Sequence, residues 1–327
     1  MQQKINLLDR LRRAHEVDLP PCPLTGKPAL RRVHGVSTKT IEGIWRHGQG
    51  IDVSRLFAGH DRLTLYESPT GLYFFEPRIV GDSRFYDEYY RRWPLHEGLT
   101  LHSESRTDYV RAAGHIQAGA EVIDIGCGPG VFRRHLVHAH YTGLDPYAGP
   151  DAVPVILRES LEAHAARRPG HYDAATAFHV IEHVSDPRRH AELMVKLLKP
   201  GGLLILAAPL HPSPLTEIPN LPLNIPPHHV TWWNPQAFRA LAGELGLTVV
   251  EAITLPPSLH QGIIYWLHRL LVIRTDPVPH ERYIAHRWSW HASVALAYYL
   301  ARIARRIKTM PARVRPIDAF LVARKDA

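Results

Sequence analysis

Three glycines stand at alternate positions in the stretch EVIDIGCGPGVF, where Gly126, Gly128 and Gly130 follow an apolar run. Glycine tolerates positive φ angles and lets a ligand approach the backbone closely, so such a loop can hold a nucleotide or a nucleoside. No Lys-Ser/Thr pair follows, which excludes a P-loop, and Pro129 lacks an N–H that a diphosphate would use. The spacing favours a nucleoside without phosphates. A turn that only packs a helix on a strand is the alternative.

Two carboxylates accompany this loop. Asp124 lies inside the apolar run before it, where burial is costly unless the carboxylate meets a partner such as a ligand ammonium. Asp145 ends the next apolar run, YTGLDP, about 20 residues after the loop, where a carboxylate can accept hydrogen bonds from both ribose hydroxyls. The loop and the carboxylates together predict a nucleoside site.

Histidines supply candidates for a general base. His179 ends the run YDAATAFHV, and His228 and His229 stand before TWWNPQAF. The pKa of histidine suits it to take a proton from an acceptor near neutral pH. Because the chain has 23 histidines, a chance surface pair is the alternative for His228 and His229. Trp232 and Trp233 either form a stacking surface for a sugar or aromatic acceptor or belong to the hydrophobic core.

Apolar runs that alternate with helical patterns between 120 and 255 must position these residues. Strands are predicted at EVIDIG, YTGLD, AVPVILR, YDAATAFHV, LLILAAP and LTVVEAITL, and helices at VFRRHLVHA, DPRRHAELMVKLL and PQAFRALAGELG. Continuous apolar strands are buried on both faces, which is typical of a parallel sheet covered by helices. Its ligand lies beyond the carboxyl ends of the strands, where the glycine loop, Asp145 and His179 stand.

Four motifs carry a resemblance to a known family. VIDIGCGPG, YTGLDP, YDAATAFHVIEHVSDP and LLKPGGLLILAAP, in this order and spacing, resemble the class I S-adenosylmethionine-dependent methyltransferases. The resemblance covers about 120–255, with IDAFLVARK as the last, antiparallel strand. It implies an α/β fold with a doubly wound, mostly parallel seven-stranded sheet, Rossmann-like, and methyl transfer from S-adenosylmethionine.

The resemblance also implies which residues bind the cofactor. The glycine loop would meet its amino-acid end, Asp145 its ribose and 159–161 its adenine, although the family often has Asp where Glu159 stands. The implied cofactor residues are Asp124, Gly126, Cys127, Gly128, Gly130, Asp145, Pro146, Glu159, Ser160, Leu161, Phe178 and His179. The candidates for catalysis are His179, His228 and His229.

A metal site is the alternative for one motif. Ubiquinone-type O-methyltransferases place an acidic residue three positions before a Glu-His pair that binds a divalent metal. Here His179 stands in the place of that acid, before Glu182 and His183. This departure favours no metal, with Glu182 and His183 bracing the helix that follows.

The front of the chain contains two similar turns, CPLTG at 22–26 and ESPTG at 67–71. They resemble the two Cys-x-x-Cys-Gly knuckles of the zinc ribbon that some sugar- and polysaccharide-linked methyltransferases carry, and the four ligand positions here read Cys22, Thr25, Glu67 and Thr70. One thiolate and two threonines do not make a structural zinc site, so we predict a degenerate ribbon without metal. Two unrelated turns are the alternative. We predict two domains, 1–110 and 111–327.

The last part of the second domain is a predicted helical insertion, 256–316, before the final strand. Residues 256–327 carry 12 basic and 4 acidic residues, against a net charge of +8 for the whole chain. SWHASVALAYYLA is shorter than the roughly 20 residues that span a bilayer. Arginines and the aromatic residues Trp290, Tyr298 and Tyr299 are also typical of a helix on a membrane surface, near a lipid-linked acceptor, although a cover over the sheet or a dimer contact is the preferred interpretation.

Composition limits the remaining possibilities. The N-terminal residues contain no apolar core typical of a signal peptide, and two cysteines in different contexts argue for a reducing compartment. We therefore expect a cytoplasmic protein, with peripheral membrane contact left open, that acts on a small-molecule or glycan- or lipid-linked acceptor. No nucleic-acid module is recognisable, and the oligomeric state stays open. The alternatives are a cofactor-binding scaffold without activity and a nicotinamide oxidoreductase, whose fingerprint wants a small residue where Val131 stands.

Overall fold

The computed structural model describes residues 19–92, 106–148, 153–258, 261–275, 282–311 and 313–326. No signal peptide is expected from the sequence at the N-terminus, and most of the residues concerned lie outside these ranges. The described strands are β1 (Arg31–Ser37), β2 (Arg62–Glu67), β3 (Tyr73–Glu76), β4 (Glu121–Ile125), β5 (His140–Leu144), β6 (Ile156–Leu157), β7 (Tyr172–Phe178), β8 (Leu198–Pro209), β9 (Thr231–Trp232), β10 (Leu247–Leu255) and β11 (Asp318–Lys325). The described α-helices are α1 (Thr38–Gln49), α2 (Ser83–Arg92), α3 (Thr107–Ala113), α4 (Leu161–Arg167), α5 (Pro187–Leu197), α6 (Pro235–Glu244), α7 (Gly262–Leu270) and α8 (Trp288–Ile307).

Seven strands form the central sheet in the order β10-β11-β8-β7-β4-β5-β6. β11 is antiparallel to both of its neighbours, and the pairs from β8 to β6 are parallel. The predicted doubly wound, mostly parallel seven-stranded sheet is therefore confirmed. β4 has β5 on one side and β7 on the other, so the chain changes direction across the sheet at its carboxyl end. A crevice for a ligand forms at such a point.

One predicted helix is wrong. Instead of an α-helix over VFRRHLVHA, the chain forms a short 3-10 helix at Val131–His135. Only nine residues separate the glycine loop from β5, which starts at His140. An α-helix of nine residues rises only about 13 Å, less than the length of β4, and leaves nothing for the turn into β5. A 3-10 helix rises about 2.0 Å per residue, so five residues leave enough chain for that turn.

The front module contains a second, antiparallel sheet in the order β1-β2-β3-β9. Its fourth strand, β9, comes from the part of the chain that follows β8. Trp232 of β9 and Ile225 pack into the front core with Trp45 and Phe85. The front module and the central domain therefore share a sheet and a core, while the predicted boundary at 110 stays a prediction.

The predicted insertion before the last strand contains α7 and α8, which pack on each other and on a loop around Leu215 and Ile218. Trp290 lies in its interior with 2% of its surface exposed, so the prediction that Trp290 belongs to an outward aromatic face is wrong. Tyr299 is 69% exposed. None of the described helices is long and apolar enough to cross a bilayer.

Candidate active site

The glycine loop after β4 is left-handed at each of its three glycines. At Gly126, with φ 64°, a Cβ would lie 2.6 Å from Val180 Cγ2, so a side chain is excluded by space as well as by conformation. At Gly128, with φ 53°, nothing stands within 4 Å of the point where a Cβ would lie. The backbone at Gly128 is therefore open to a ligand, as the spacing predicted.

Asp145 fixes this loop from the end of the neighbouring strand. Its Oδ2 accepts a hydrogen bond of 2.8 Å from the Gly128 N–H, and its Oδ1 accepts one of 2.8 Å from the Tyr147 N–H. Each carboxylate oxygen has a second lone pair, so Asp145 can brace the loop and still accept a hydrogen bond from a ligand hydroxyl.

Most of the predicted site residues line one large cavity of about 2330 Å³. Its wall includes Gly126, Cys127, Gly128, Asp145, Pro146, Ser160, Leu161, Phe178, His179, His228 and His229. Drug-sized pockets occupy about 300–1,000 Å³, so the cavity has room for a nucleoside cofactor and a second molecule.

Three predicted cofactor residues stand behind this wall instead of in it. Asp124 is buried under the loop, where it accepts hydrogen bonds from Tyr141 Oη at 2.9 Å and Thr176 Oγ1 at 2.8 Å. Burial raises the pKa of Asp124 to about 7. Glu159 is engaged by His164 and by Arg167. Gly130 packs against Ile156. These three support the site from below, and a direct cofactor contact by them stays a prediction.

His179 stands at the carboxyl end of β7 among three carboxylates. Its Nε2 lies 3.7 Å from Asp108 Oδ2 and 3.8 Å from Asp318 Oδ1, and its Nδ1 lies 3.6 Å from Glu182 Oε1. Burial alone would lower the pKa of His179, but the carboxylates of Asp318 and Glu182 outweigh it and raise the pKa to about 9. His179 has φ 58°, a conformation that a non-glycine residue seldom adopts outside functional sites.

Sequence reasoning missed Arg106, Asp108 and Asp318. Arg106 and Asp108 form a buried ion pair at 2.5 Å beside the cavity, and the Arg106 guanidinium lies over the Tyr109 ring. Asp318, at the start of β11, accepts a hydrogen bond of 3.1 Å from Gln261 Nε2, and burial raises its pKa to about 6. The signal that could have identified Asp318 is a single acidic residue at the start of an otherwise apolar strand. Three carboxylates around one imidazolium and one guanidinium suit a cationic ligand.

A model of a methyltransferase domain matches residues 100–252 of the chain. These residues form a class I, S-adenosylmethionine-dependent methyltransferase domain. The predicted enzyme class and cofactor are confirmed for this domain.

Curated relatives match about a third of the chain. Over 133 residues the chain is 34% identical to the ubiquinone biosynthesis O-methyltransferase of Pectobacterium carotovorum, a match that covers 37% of this chain and 54% of that protein. Over 122 residues it is 35% identical to the enzyme of the same name from Sodalis glossinidius, covering 33% of this chain and 47% of that protein. The chain therefore spans about half the length of the curated relatives it matches.

Solved methyltransferase structures are more distant. An S-adenosylmethionine-dependent methyltransferase from Archaeoglobus fulgidus is 16% identical with a TM-score of 0.45, covering 71% of this chain and 99% of that one. A coclaurine N-methyltransferase is 16% identical with a TM-score of 0.43, covering 70% of this chain and 72% of that one.

A histidine cluster adjoins the methyltransferase site. One ring nitrogen each of His183, His228 and His229 lies within 4.8 Å of the others. Both oxygens of Glu182 are buried without a hydrogen-bond partner, and its Oε1 lies 3.7 Å from His183 Nε2 and 3.8 Å from His229 Nε2. His183 Nδ1 contacts the His228 carbonyl at 2.7 Å and His228 Nδ1 contacts the Leu223 carbonyl at 3.1 Å, so in both rings Nδ1–H donates and Nε2 keeps its lone pair. A brace for a helix does not explain a buried carboxylate whose oxygens have no hydrogen bond.

His228, His229 and the tryptophans after them lie in the interior. Burial lowers the pKa of His228 and of His229 well below the usual histidine value, which makes both rings weak bases. Trp232 and Trp233 are buried, and their indole N–H groups donate to the Asn224 carbonyl and to Thr231 Oγ1. Of the two predicted roles for the tryptophans, the structure shows core.

The two turns of the front module lie against each other. Cys22 Sγ lies 4.0 Å from Thr70 Oγ1, and Thr70 Oγ1 shares a hydrogen bond of 2.9 Å with Ser68 Oγ. Glu67 instead pairs with Arg31 at 2.6 Å. Thiol and hydroxyl groups therefore lie at the contact between the two turns, and the ribbon itself stays a prediction.

Proposed function

We propose that the protein transfers a methyl group from S-adenosylmethionine to an acceptor that is a small molecule or is linked to a glycan or lipid. The observation that carries the proposal is one cavity that joins the glycine loop and Asp145 to His179 and its three carboxylates. The two alternatives, a scaffold without activity and a nicotinamide oxidoreductase, receive no support from the comparisons.

The chain's own residues supply binding, orientation and a proton acceptor. When bound, S-adenosylmethionine supplies a methyl group on a positively charged sulfur, which an acceptor takes by in-line displacement. The Gly128 backbone lies at the amino-acid end of the cofactor and Asp145 at its ribose. Asp108, Glu182 and Asp318 provide negative charge beside the methyl position. His179 lies nearest to these carboxylates. Beside a positively charged cofactor its neutral form is favoured, and the neutral ring can take the proton that the acceptor gives up. His228 and His229 shape the acceptor side.

The far arm of the cavity supports an acceptor with an apolar part. Its wall there includes Ile263, Ile264 and Leu267 of α7 and Val294 and Tyr298 of α8. Such a wall gains free energy from burying hydrocarbon, at about 25 cal/mol per Å². The predicted degenerate ribbon of the front module, if present, would be in keeping with the sugar-linked members of the family, and a glycan carried by a lipid would fit both this prediction and the apolar wall.

The experiment that tests the function compares small molecules of a deletion strain with those of the wild type. The deletion strain is expected to accumulate a compound that is one methyl group lighter than the methylated product of the wild type. A plasmid copy of the gene with Asp145→Ala should not restore that product. If the metabolite and lipid profiles of the deletion strain equal those of the wild type, the proposal is contradicted.

Membrane contact is a further part of this proposal. α8 exposes an apolar stripe in which Leu296 is 55%, Tyr299 69% and Ile303 52% exposed. Arg302 and Arg306 are exposed on the neighbouring side of the helix. Anionic lipid attracts such arginines with about 1 kcal/mol each, while the stripe enters the headgroup region.

Flotation with vesicles measures this contact. Wild-type protein is expected to float with anionic vesicles, less so at high salt, and Leu296→Ser with Tyr299→Ser and Ile303→Ser should abolish flotation without loss of stability. Val137→Ser is the matched control, since Val137 is 77% exposed outside the insertion. Wild type that floats with neither anionic nor neutral vesicles would contradict membrane contact.

A metal-assisted transfer is the second candidate mechanism, favoured by the unpartnered Glu182 carboxylate. The rings of His183, His228 and His229 with the Glu182 carboxylate make a nitrogen-rich donor set that fits a divalent transition metal. An ion there would lower the pKa of an acceptor hydroxyl.

Elemental analysis of the purified protein separates this candidate from the metal-free prediction. If the ion binds, about one equivalent of metal per chain should be present, Glu182→Gln should lose it and Cys22→Ser should keep it. Metal that disappears in Cys22→Ser would place it in the front module instead. If wild-type protein contains no metal and takes up none on dialysis, the metal-assisted mechanism is contradicted, and His179 acts without a metal.

A further inference from the structure

A second cavity, of about 470 Å³, lies at the edge of the front sheet between β1 and residues 282–285 of the insertion. Arg32, His34, Gly35 and Arg282 line it. None of these residues takes part in the methyl-transfer site described above. We call this cavity the β1 pocket.

Arg62 lies next to Arg32 at the border of the β1 pocket because one residue of β1, Gly35, has no side chain. Arg32 Nη2 and Arg62 Nη1 lie 2.5 and 2.7 Å from the point where a Cβ of Gly35 would stand. Both guanidinium groups therefore lie over the backbone of Gly35, next to each other. Arg282 contributes to the same field: after burial, the charges of Arg282, Arg32 and Arg62 all lower the pKa of His34.

These three arginines lack a counter-charge within the described parts of the chain. No carboxylate there lies within ion-pair distance of Arg32, Arg62 or Arg282. Neighbouring arginines differ: Arg31 pairs with Glu67, and Arg55 pairs with Asp82. Guanidinium groups that face one another without an anion repel, and this repulsion disappears when an anion binds between them.

The segment that carries Arg282 is held in place by the rest of the fold. His34 Nε2 donates to the Ile284 carbonyl at 2.7 Å. Asn220 holds Ala285 twice, with Nδ2 donating to the Ala285 carbonyl at 2.8 Å and Oδ1 accepting from the Ala285 N–H at 2.9 Å. The β1 pocket is therefore shaped by anchored backbone on both sides.

The amino end of α1 adds to the positive potential. Ser37 caps this helix of 12 residues, its Oγ accepting from the Thr40 N–H at 3.2 Å, and the first turn contains no acidic residue. Ser37 and Thr40 both line the β1 pocket. A helix of this length presents partial positive charge at its amino end, which favours an anion.

We propose that the β1 pocket binds the phosphate or diphosphate group of a ligand. Guanidinium groups match phosphate oxygens in charge and in planar, paired hydrogen-bond geometry. The Ser37 and Thr40 hydroxyls share a hydrogen bond of 2.9 Å, so this pair adds one neutral donor. Thr40 also lines the large cavity. The phosphorylated ligand is therefore the acceptor itself, a part of the inference that rests on the proposed function.

Calorimetric titration of the full-length protein with inorganic phosphate and with pyrophosphate tests the pocket. Pyrophosphate is expected to bind wild type, and Arg32→Gln and Arg62→Gln should each weaken it about tenfold, as loss of one charge-assisted contact does. Gly35→Ala should weaken it too, because the new methyl group displaces both guanidinium groups. Arg31→Gln is the matched control, since it removes the same charge from the same strand at a residue already paired with Glu67.

The outcomes separate this pocket from the transfer site. Binding of S-adenosylhomocysteine should be the same in all variants, so its failure in wild type concerns the proposed function and not the pocket. Absence of phosphate and pyrophosphate binding to wild type, or equal weakening in Arg31→Gln, would overturn the pocket. If vesicles with phosphatidylglycerol bind the protein, and this binding requires Arg32 and Arg62 but is not reduced by pyrophosphate, the β1 pocket binds a lipid headgroup. The inference that its ligand is the methyl acceptor would then be wrong.

Discussion

Replacing Asp145 by alanine is expected to weaken binding of S-adenosylhomocysteine by about 10- to 150-fold, the equivalent of 1.5–3 kcal/mol for a hydrogen bond to a charged group. Asp145 has two roles in the structure, since its oxygens hold the Gly128 and Tyr147 N–H groups and face the cavity. Alanine removes the ligand contact and also releases the glycine loop. Isothermal titration calorimetry measures the loss directly.

Asp145→Asn separates these two roles of Asp145. The amide oxygen can still accept from the Gly128 N–H, but the charge is gone and the NH₂ group cannot accept from Tyr147. We expect the affinity of the asparagine variant to fall between those of wild type and alanine, with little change in the thermal midpoint. An alanine variant with wild-type affinity would remove Asp145 from the cofactor site.

Replacing His179 by glutamine is expected to lower turnover by about 100-fold or more, the range that a positioned general base contributes. Glutamine keeps much of the volume and a polar end among Asp108, Glu182 and Asp318, but it takes no proton. Affinity for S-adenosylhomocysteine should change by less than about tenfold, because the group acts on the acceptor side.

His140→Gln provides the matched control for this variant. His140 is exposed at the amino end of β5, away from the carboxyl ends that form the cavity, so its turnover should stay that of wild type. If turnover of His179→Gln equals wild type, His179 is not the base. A fall in turnover that excess acceptor restores would make His179 a binding residue instead.

Local patterns in the sequence were sufficient for the central fold and part of the site. The order of apolar runs predicted the central strands, and the positions of Gly128, Asp145 and His179 at strand ends placed them at one edge of the sheet. These features depend on neighbours in sequence, so the spacing of apolar, glycine and polar residues is enough to predict them.

The rest depends on contacts between distant parts of the chain. Asp318 meets His179 because β11 inserts beside β8, and Asp108 reaches the same ring from α3, so no spacing in the sequence shows that the three residues meet. The partner of β3 is a two-residue strand, β9, too short to leave a period in the sequence. Trp290 and Tyr299 stand in one apolar helix, and periodicity does not say which side faces the core when apolar residues surround it.

Calorimetric titration of wild-type protein with S-adenosylhomocysteine, in parallel with NAD⁺, tests the central claim most directly. The glycine loop, Asp145 and the negative surroundings of His179 together predict one binding site per chain for S-adenosylhomocysteine and no heat of binding for NAD⁺. Binding of NAD⁺ without binding of S-adenosylhomocysteine would contradict the methyltransferase account.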